Sequence, residues 1–127
     1  MYATLLVFLG GGIGAVARHG VNLLVPRYLG MYFPWATMIE NVLGSFLIGV
    51  LAAFFAFKAD ASCSQHARIF LTTGILGGFT TFSAFSLDFA LLYERGEMLQ
   101  AALYVAGSVG ISLAAIFLGL FMVRAIV

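Results

Sequence analysis

Charged residues are scarce in this sequence of 127 residues, where Asp, Glu, Lys and Arg together make up 9%. A soluble domain carries about 25% charged residues, so the composition excludes an ordinary soluble enzyme. Six Lys and Arg oppose five Asp and Glu, which leaves a net charge of +1. The chain has no basic run that would neutralise a phosphate backbone, so we expect no nucleic-acid partner.

Cysteine and histidine are nearly absent. Cys63 is the only cysteine, and His19 and His66 are far apart. One cysteine forms neither an intrachain disulfide nor a cysteine-based zinc site. The four glycines within residues 10–14 lie inside an apolar run with no strand before it, which excludes a dinucleotide-binding motif. No catalytic constellation is found, and we expect no enzyme.

No Lys or Arg precedes the first apolar run, which argues against a cleaved signal peptide.

Long apolar runs fill the chain, which is 63% hydrophobic with a mean hydropathy of +1.10. A helix needs about 20 apolar residues to cross a bilayer. Four such windows occur, separated by connections near Pro26-Arg27-Tyr28, at 58–68 and at 94–97. The sequence therefore predicts an all-α membrane protein in which residues 1–127 form a single domain. The four windows are residues 2–24, 34–57, 69–93 and 98–123.

The basic residues give almost no preference for one orientation in the membrane. With four spans, Lys58, Arg68 and Arg124 lie on the side of the termini, and Arg27 and Arg95 lie on the other. Cytoplasmic loops normally carry the excess of Lys and Arg. The near balance favours dual topology, with two chains assembled head-to-tail. The alternative is that one lysine fixes a single orientation.

The third window contains poor helix chemistry at its middle. Gly77 and Gly78 are followed by Thr80, Thr81 and Ser83, and glycine costs about 1 kcal/mol relative to alanine inside a helix. Non-helical backbone at membrane depth survives only where it is buried or lines a polar cavity. The sequence predicts a break here that marks a functional site, or else a continuous helix with a tight glycine contact.

Two polar stripes run along the second and fourth windows at a spacing of four residues, which places each on one helix face. They indicate either a narrow hydrated path or hydrogen bonding between helices. Phenylalanines follow the predicted break, and they line such a path with their positive ring edges or form an ordinary apolar stripe. The members are Thr37, Asn41 and Ser45; Tyr104, Ser108 and Ser112; and Phe82, Phe85 and Phe89.

Three charges lie in or beside the windows. Arg18 ends the first apolar run and either reaches the interface or supplies positive potential at a pore mouth. Glu40 lies near the start of the second window, where it sits at the interface, pairs with Arg18 or another chain, or carries a proton. Asp88 caps a vestibule or pairs with Arg95.

Four segments of the chain resemble the Fluc (CrcB) fluoride channel family. They cover nearly its whole length, and the Gly-Gly-Phe-Thr-Thr-Phe-Ser motif of the third is the most specific. The first ends at Arg18, the second starts at Asn41, and the fourth carries Gly107, Ser108 and Ser112. The segments are residues 10–18, 41–49, 73–86 and 107–112.

The resemblance implies an antiparallel, dual-topology homodimer with two pores that pass fluoride passively out of the cell, in the bacterial inner membrane. It implies a Na⁺ ion on the dimer axis, held by the backbone carbonyls of Gly77 and Thr80. Arg18 would bias the vestibule of the pore toward anions. The implied fluoride pore residues are Asn41, Thr81, Phe82, Ser83, Phe85, Tyr104, Ser108 and Ser112.

Two other functions stay open from the residues alone. A small proton-coupled multidrug exporter is also built from four spans, and it needs a membrane carboxylate, for which Glu40 is the candidate. A structural protein without conduction would leave the glycine pair and Asn41 unexplained. Both Glu40 and Asp88 differ from what the family pattern leads us to expect.

Overall fold

The structure is a computed structural model that describes residues 1–57 and 61–126. The described part is all helical, and four helical runs are long and apolar enough to cross a membrane. This confirms the predicted membrane class. Lys58, which enters the orientation count, lies outside the described residues. The helices are α1 (Tyr2–Leu29), α2 (Trp35–Phe57), α3 (Ala61–Arg68), a π-helix (Ile69–Leu76), α4 (Gly77–Phe79), α5 (Phe82–Glu94) and α6 (Met98–Ile126).

Helix α1 is longer than the first window predicts. Pro26 lies inside its last turn, and the helix continues to Leu29. Gly30 ends it at φ 81°, and the Gly30 N–H donates to the Pro26 carbonyl at 3.0 Å. A positive φ suits glycine, which lacks a Cβ. The predicted connection near Pro26 is therefore wrong, and the chain turns at Gly30 instead.

Helices α2 and α6 pack closely through two glycines. A Cβ on Gly49 would clash with the backbone carbonyl of Ile116, and one on Gly119 would clash with the carbonyl of Phe46. Small residues let membrane helices approach at their backbones. Toward the start of α2 and α6 lies an apolar cluster of Met38, Leu92, Ala101 and Tyr104, with Phe33, Val42, Phe85 and Phe89 packed around it.

The third span, Gln65–Glu94, is one apolar run of 30 residues with irregular backbone. It passes from α3 into the π-helix, where the Gly77 N–H donates to the Thr72 carbonyl, five residues back. Gly77 and Gly78 are helical, and Gly77 has φ −62° and ψ −37°. Thr80 (φ −84°, ψ 155°) and Thr81 (φ −153°, ψ 125°) are extended. The irregular residues thus follow the glycine pair by two positions.

The second glycine of the pair, Gly78, serves a different purpose, which is contact with α1. A Cβ on Gly78 would clash with the carbonyl of Gly11, and one on Gly14 would clash with the carbonyl of Ile75. A Cβ on Gly10 would come within 2.7 Å of the Phe70 carbonyl. These helices meet backbone to backbone, so this face, here called the glycine face, fixes where the third span lies.

The turn between α5 and α6 falls at Arg95–Glu97, within the predicted connection. Arg95 Nη2 donates to Glu97 Oε2 at 3.1 Å and to the Tyr32 carbonyl at 3.0 Å. The predicted pairing of Arg95 with Asp88 is wrong, because Arg95 turns toward its own loop and the α1–α2 connection.

Candidate functional site

The side chain of Asn41 bridges α2 to the extended residues of the third span. Asn41 Nδ2 donates to the Thr81 carbonyl at 3.0 Å, and the Thr81 N–H donates to Asn41 Oδ1 at 2.8 Å. Both backbone groups of Thr81 are therefore satisfied by one side chain. This satisfies the requirement that backbone polar groups inside a membrane find internal partners.

The same bond diverts a helical donor from Gly77. In a continuous helix the N–H of Thr81 would donate to the Gly77 carbonyl, four residues back. The N–H of Ala84, which would reach the Thr80 carbonyl, donates to Thr81 Oγ1 at 3.2 Å instead. The carbonyls of Gly77 and Thr80 thus both lose the donor that a regular helix would supply. Such oxygens fit a hard monovalent cation.

A groove of about 300 Å³ lies beside this turn, between α2, α5 and α6. The N-terminus of α5 opens into it, and its walls mix hydroxyl groups with two phenylalanine rings. Free N–H groups at a helix N-terminus favour anions. Its lining residues are Asn41, Ser45, Ile48, Thr80, Thr81, Phe82, Phe85, Ser108, Val109 and Ser112.

Two hydroxyl groups in this groove have no partner. Ser108 Oγ and Ser112 Oγ are buried and make no hydrogen bond within the described part of the chain. A buried polar atom without a partner costs about 1–3 kcal/mol. Gln100 Oε1 is also buried without a partner, one helical turn before Tyr104. Sequence reasoning missed Gln100, although the spacing of four residues that defines the α6 stripe extends to it.

Phe82 and Phe85 stand together at the mouth of the groove. Their ring centroids are 5.5 Å apart with planes tilted by 47°. Phe82 is 76% exposed on the isolated chain. Phe85 lies deeper and packs at 5.1 Å against the ring of Tyr104. Phe82, the outermost of these rings, therefore presents an apolar surface that one chain alone does not cover.

The remaining predicted site residues lie around the groove rather than in its lining. Tyr104 is fully buried behind Phe85, and its hydroxyl donates to Asp88 Oδ2 at 3.0 Å. The Ser83 hydroxyl is 3.3 Å from Thr81 Oγ1. Arg18 is partly buried on α1 and does not line the groove.

Glu40 precedes Asn41 and is 0% exposed, so its side chain is enclosed by the chain itself. Neither carboxyl oxygen has a hydrogen-bond partner among the residues described. Its predicted ion pair with Arg18 is also not formed within the described ranges, where the one salt bridge joins Arg95 to Glu97. Glu40 is thus a buried polar group that the groove geometry leaves unexplained.

Together, the four spans and the groove define a small helical membrane protein, with polar groups between its spans that find no partner in the described ranges. The model of the CrcB-like protein, Camphor Resistance (CrcB) family matches residues 5–120. The chain belongs to the CrcB-like family.

Curated relatives agree over nearly the whole chain. A fluoride-specific ion channel FluC from Rhodopseudomonas palustris is 59% identical, covering 96% of this chain and 97% of its own length. FluC of Granulibacter bethesdensis is 54% identical over 100% and 98%. FluC 2 of Nitrobacter hamburgensis is 53% identical over 94% and 95%.

Proposed function

We propose that this chain forms a fluoride-selective ion channel that passes fluoride passively across the membrane. The observation that carries the proposal is the pair of buried, partnerless hydroxyls of Ser108 and Ser112, which face the N-terminus of α5 across the groove. An anion in the groove would accept hydrogen bonds from both. The names of the relatives support the same activity.

The aromatic rings give the groove a further preference for anions. Ring edges carry partial positive charge, and Phe82 and Phe85 both line the groove. An edge offers a small anion attraction without a strong hydrogen bond, so the ion can leave again. Thr81, Ser83 and Asn41 would complete the track, with Tyr104 holding Phe85 in place from behind.

The open groove leads us to propose an antiparallel homodimer with two pores. Phe82 is 76% exposed at its mouth, so one chain leaves the path unlined on that side. A second, inverted copy would close it, and the near balance of basic residues permits insertion in both orientations. Arg18 would then add positive potential at a vestibule. Since the relatives come from bacteria, we place the dimer in the inner membrane, where it would protect the cell from fluoride.

We further propose that Na⁺ binds to the carbonyls of Gly77 and Thr80 at the dimer axis. Support comes from the donors of Thr81 and Ala84, which are diverted to Asn41 and Thr81 Oγ1. A bound Na⁺ would supply a fixed positive charge next to the anion path. Replacing Na⁺ by a large organic cation should then lower fluoride efflux and the thermal stability of the purified protein.

The experiment that tests the channel is ion efflux from liposomes that contain the purified protein, with Na⁺ present. We expect fast fluoride efflux and retained chloride. Phe82→Ile should slow fluoride efflux while the protein elutes as a dimer. Equal efflux of both ions would contradict selectivity, and no efflux above protein-free liposomes would contradict the channel.

Topology needs its own measurement, because selective efflux does not report orientation. Four spans place both termini on one side. A protease-sensitive tag after the C-terminus should be cut in about half of the molecules in sealed cell vesicles if both orientations insert. Complete cleavage, or complete protection, would contradict dual topology.

The exporter alternative through Glu40 finds no support in the comparisons, where the relatives are named as fluoride channels.

A further inference from the structure

The carboxyl group of Glu40 is the polar group that the channel proposal leaves unused. It is 0% exposed within a single chain, so a second copy could not reach it without repacking. Neither oxygen has a partner in the described part of the chain. An ionised carboxylate in such a place is costly unless a cation or several donors accompany it.

The elements around Glu40 bring few groups that could compensate a charge. Arg18 from α1 and Asp88 from α5 are the charged groups whose fields act on it. Tyr104 from α6 lies close enough to feel the charge of Glu40, and α2 adds Thr37. The π-helix and α4 carry no titratable side chain. Helix α3, which follows the far end of α2, carries His66 and Arg68.

The surroundings of Glu40 and Asp88 differ. Asp88 accepts a hydrogen bond from Tyr104 and lines a cavity of about 320 Å³ near the α1–α2 connection. Glu40 is 0% exposed and has no donor among the described residues. A negative charge on Glu40 would therefore be left without a compensating hydrogen bond, and the neutral, protonated carboxyl group suits this place.

We propose that Glu40 is a proton-binding site and that fluoride passes only while Glu40 carries its proton. Glu40 adjoins Asn41, which lines the groove, so loss of the proton would place a negative charge beside the anion path and repel fluoride. The ligand is a single proton, bound at a carboxyl oxygen. This inference rests on the proposed channel function. The role of Glu40 is to set the electric field along the groove rather than to contact the ion.

The test is fluoride efflux from liposomes between about pH 6 and pH 9, a range that covers the titration of fully buried carboxyl groups. We expect wild-type efflux to fall by about tenfold or more across this range, since loss of one proton adds a full charge. Glu40→Gln keeps the size and the neutral state, so its efflux should be high and independent of pH. Glu97→Gln, which changes an exposed carboxylate, should keep the wild-type profile.

Two more measurements separate this inference from a structural role of Glu40. Asp88→Asn removes the neighbouring negative charge, so the wild-type fall should move to lower pH. Infrared spectra at neutral pH should contain a protonated carboxyl band that Glu40→Gln removes, whether or not the protein conducts. A flat wild-type profile, an unchanged profile in Glu40→Gln, or no such band would overturn the proton site. Absence of fluoride efflux at every pH would instead overturn the channel.

Discussion

The two faces of the third span are built in opposite ways. On the glycine face, Gly14 and Gly78 let α1 and the third span meet at their backbones. On the groove face, the third span is met by α6, whose Ser108 and Ser112 place hydroxyl groups where nothing in the described chain accepts or donates to them. One face is defined by missing side chains, and the other by side chains that lack partners. The third span thus packs against α1 at one contact and borders the candidate binding groove at another, beside α6.

This separation predicts different responses to mutation. Substitutions on the glycine face should change folding and assembly, because an added atom has no space. Substitutions of partnerless groups should change conduction with little effect on stability, because no existing bond is lost. Each of the following variants tests whether the residue acts in folding, in conduction or in both.

The largest effect is expected for Gly14→Ala. Its Cβ would clash with the Ile75 carbonyl, which is backbone and cannot move aside alone. Overpacking costs about 1–3 kcal/mol or more, and we expect a strong loss of folded protein in size-exclusion chromatography and thermal unfolding. Gly12→Ala is the matched control, since nothing lies within 4 Å of its Cβ. If both variants fold alike, the glycine face does not fix the fold.

Asn41→Leu should have the next largest effect, because Asn41 both bonds to the backbone of the third span and lines the groove. It removes two hydrogen bonds and leaves the N–H and carbonyl of Thr81 without partners. Each costs about 1–3 kcal/mol. We expect a lower unfolding temperature and a loss of fluoride efflux of about a hundredfold. Normal stability with normal efflux would show that Thr81 finds other partners.

Ser108→Ala should lower fluoride efflux by about tenfold, the value of one hydrogen bond to an ion. Its unfolding temperature should stay within about 2 °C of wild type, since Ser108 Oγ makes no bond in the described chain. Ser86→Ala, which changes an exposed serine on α5, is the control. A large loss of stability without a loss of efflux would assign Ser108 to packing.

The smallest effect is expected for Glu97→Gln. It breaks the ion pair with Arg95, whose side chains are 47% and 21% exposed. Exposed pairs contribute about 0–1 kcal/mol, and Arg95 keeps its bond to the Tyr32 carbonyl. Unfolding temperature and efflux should match wild type. A marked change in efflux would extend the functional region to this turn.

Hydropathy alone predicted the four membrane helices, since each crossing needs a long apolar run. It placed α2 and the start of α6 within one residue of their observed positions. It misses the end of α1, because a proline normally indicates a connection between helices. Pro26 lies so near the end that few helical bonds depend on it, and Gly30 supplies the actual stop.

The groove was predictable where residue type and spacing coincide. Asn41 belongs to the polar stripe of α2, and Ser108 and Ser112 belong to that of α6. The structure brings the three residues together in the groove. The burial of Glu40 was not predictable, because the rotation of α2 about its axis is set by its neighbours. Gly77 and Gly78 predict an irregular point, but both are helical and Gly78 packs against α1, whereas Thr80 and Thr81 are extended.

The double hydrogen bond of Asn41 has a consequence for how the third span keeps its shape. A carboxamide carries the donor and the acceptor of a peptide group. The Asn41 side chain therefore takes the place of a peptide group and bonds to the backbone of the neighbouring span, as the backbone of an adjacent strand does in a sheet. A turn of α2 about its own axis would withdraw the donor and the acceptor together. The extended conformation at Thr81 is thus stabilised by a different helix, α2. It depends on how α2 is rotated about its own axis.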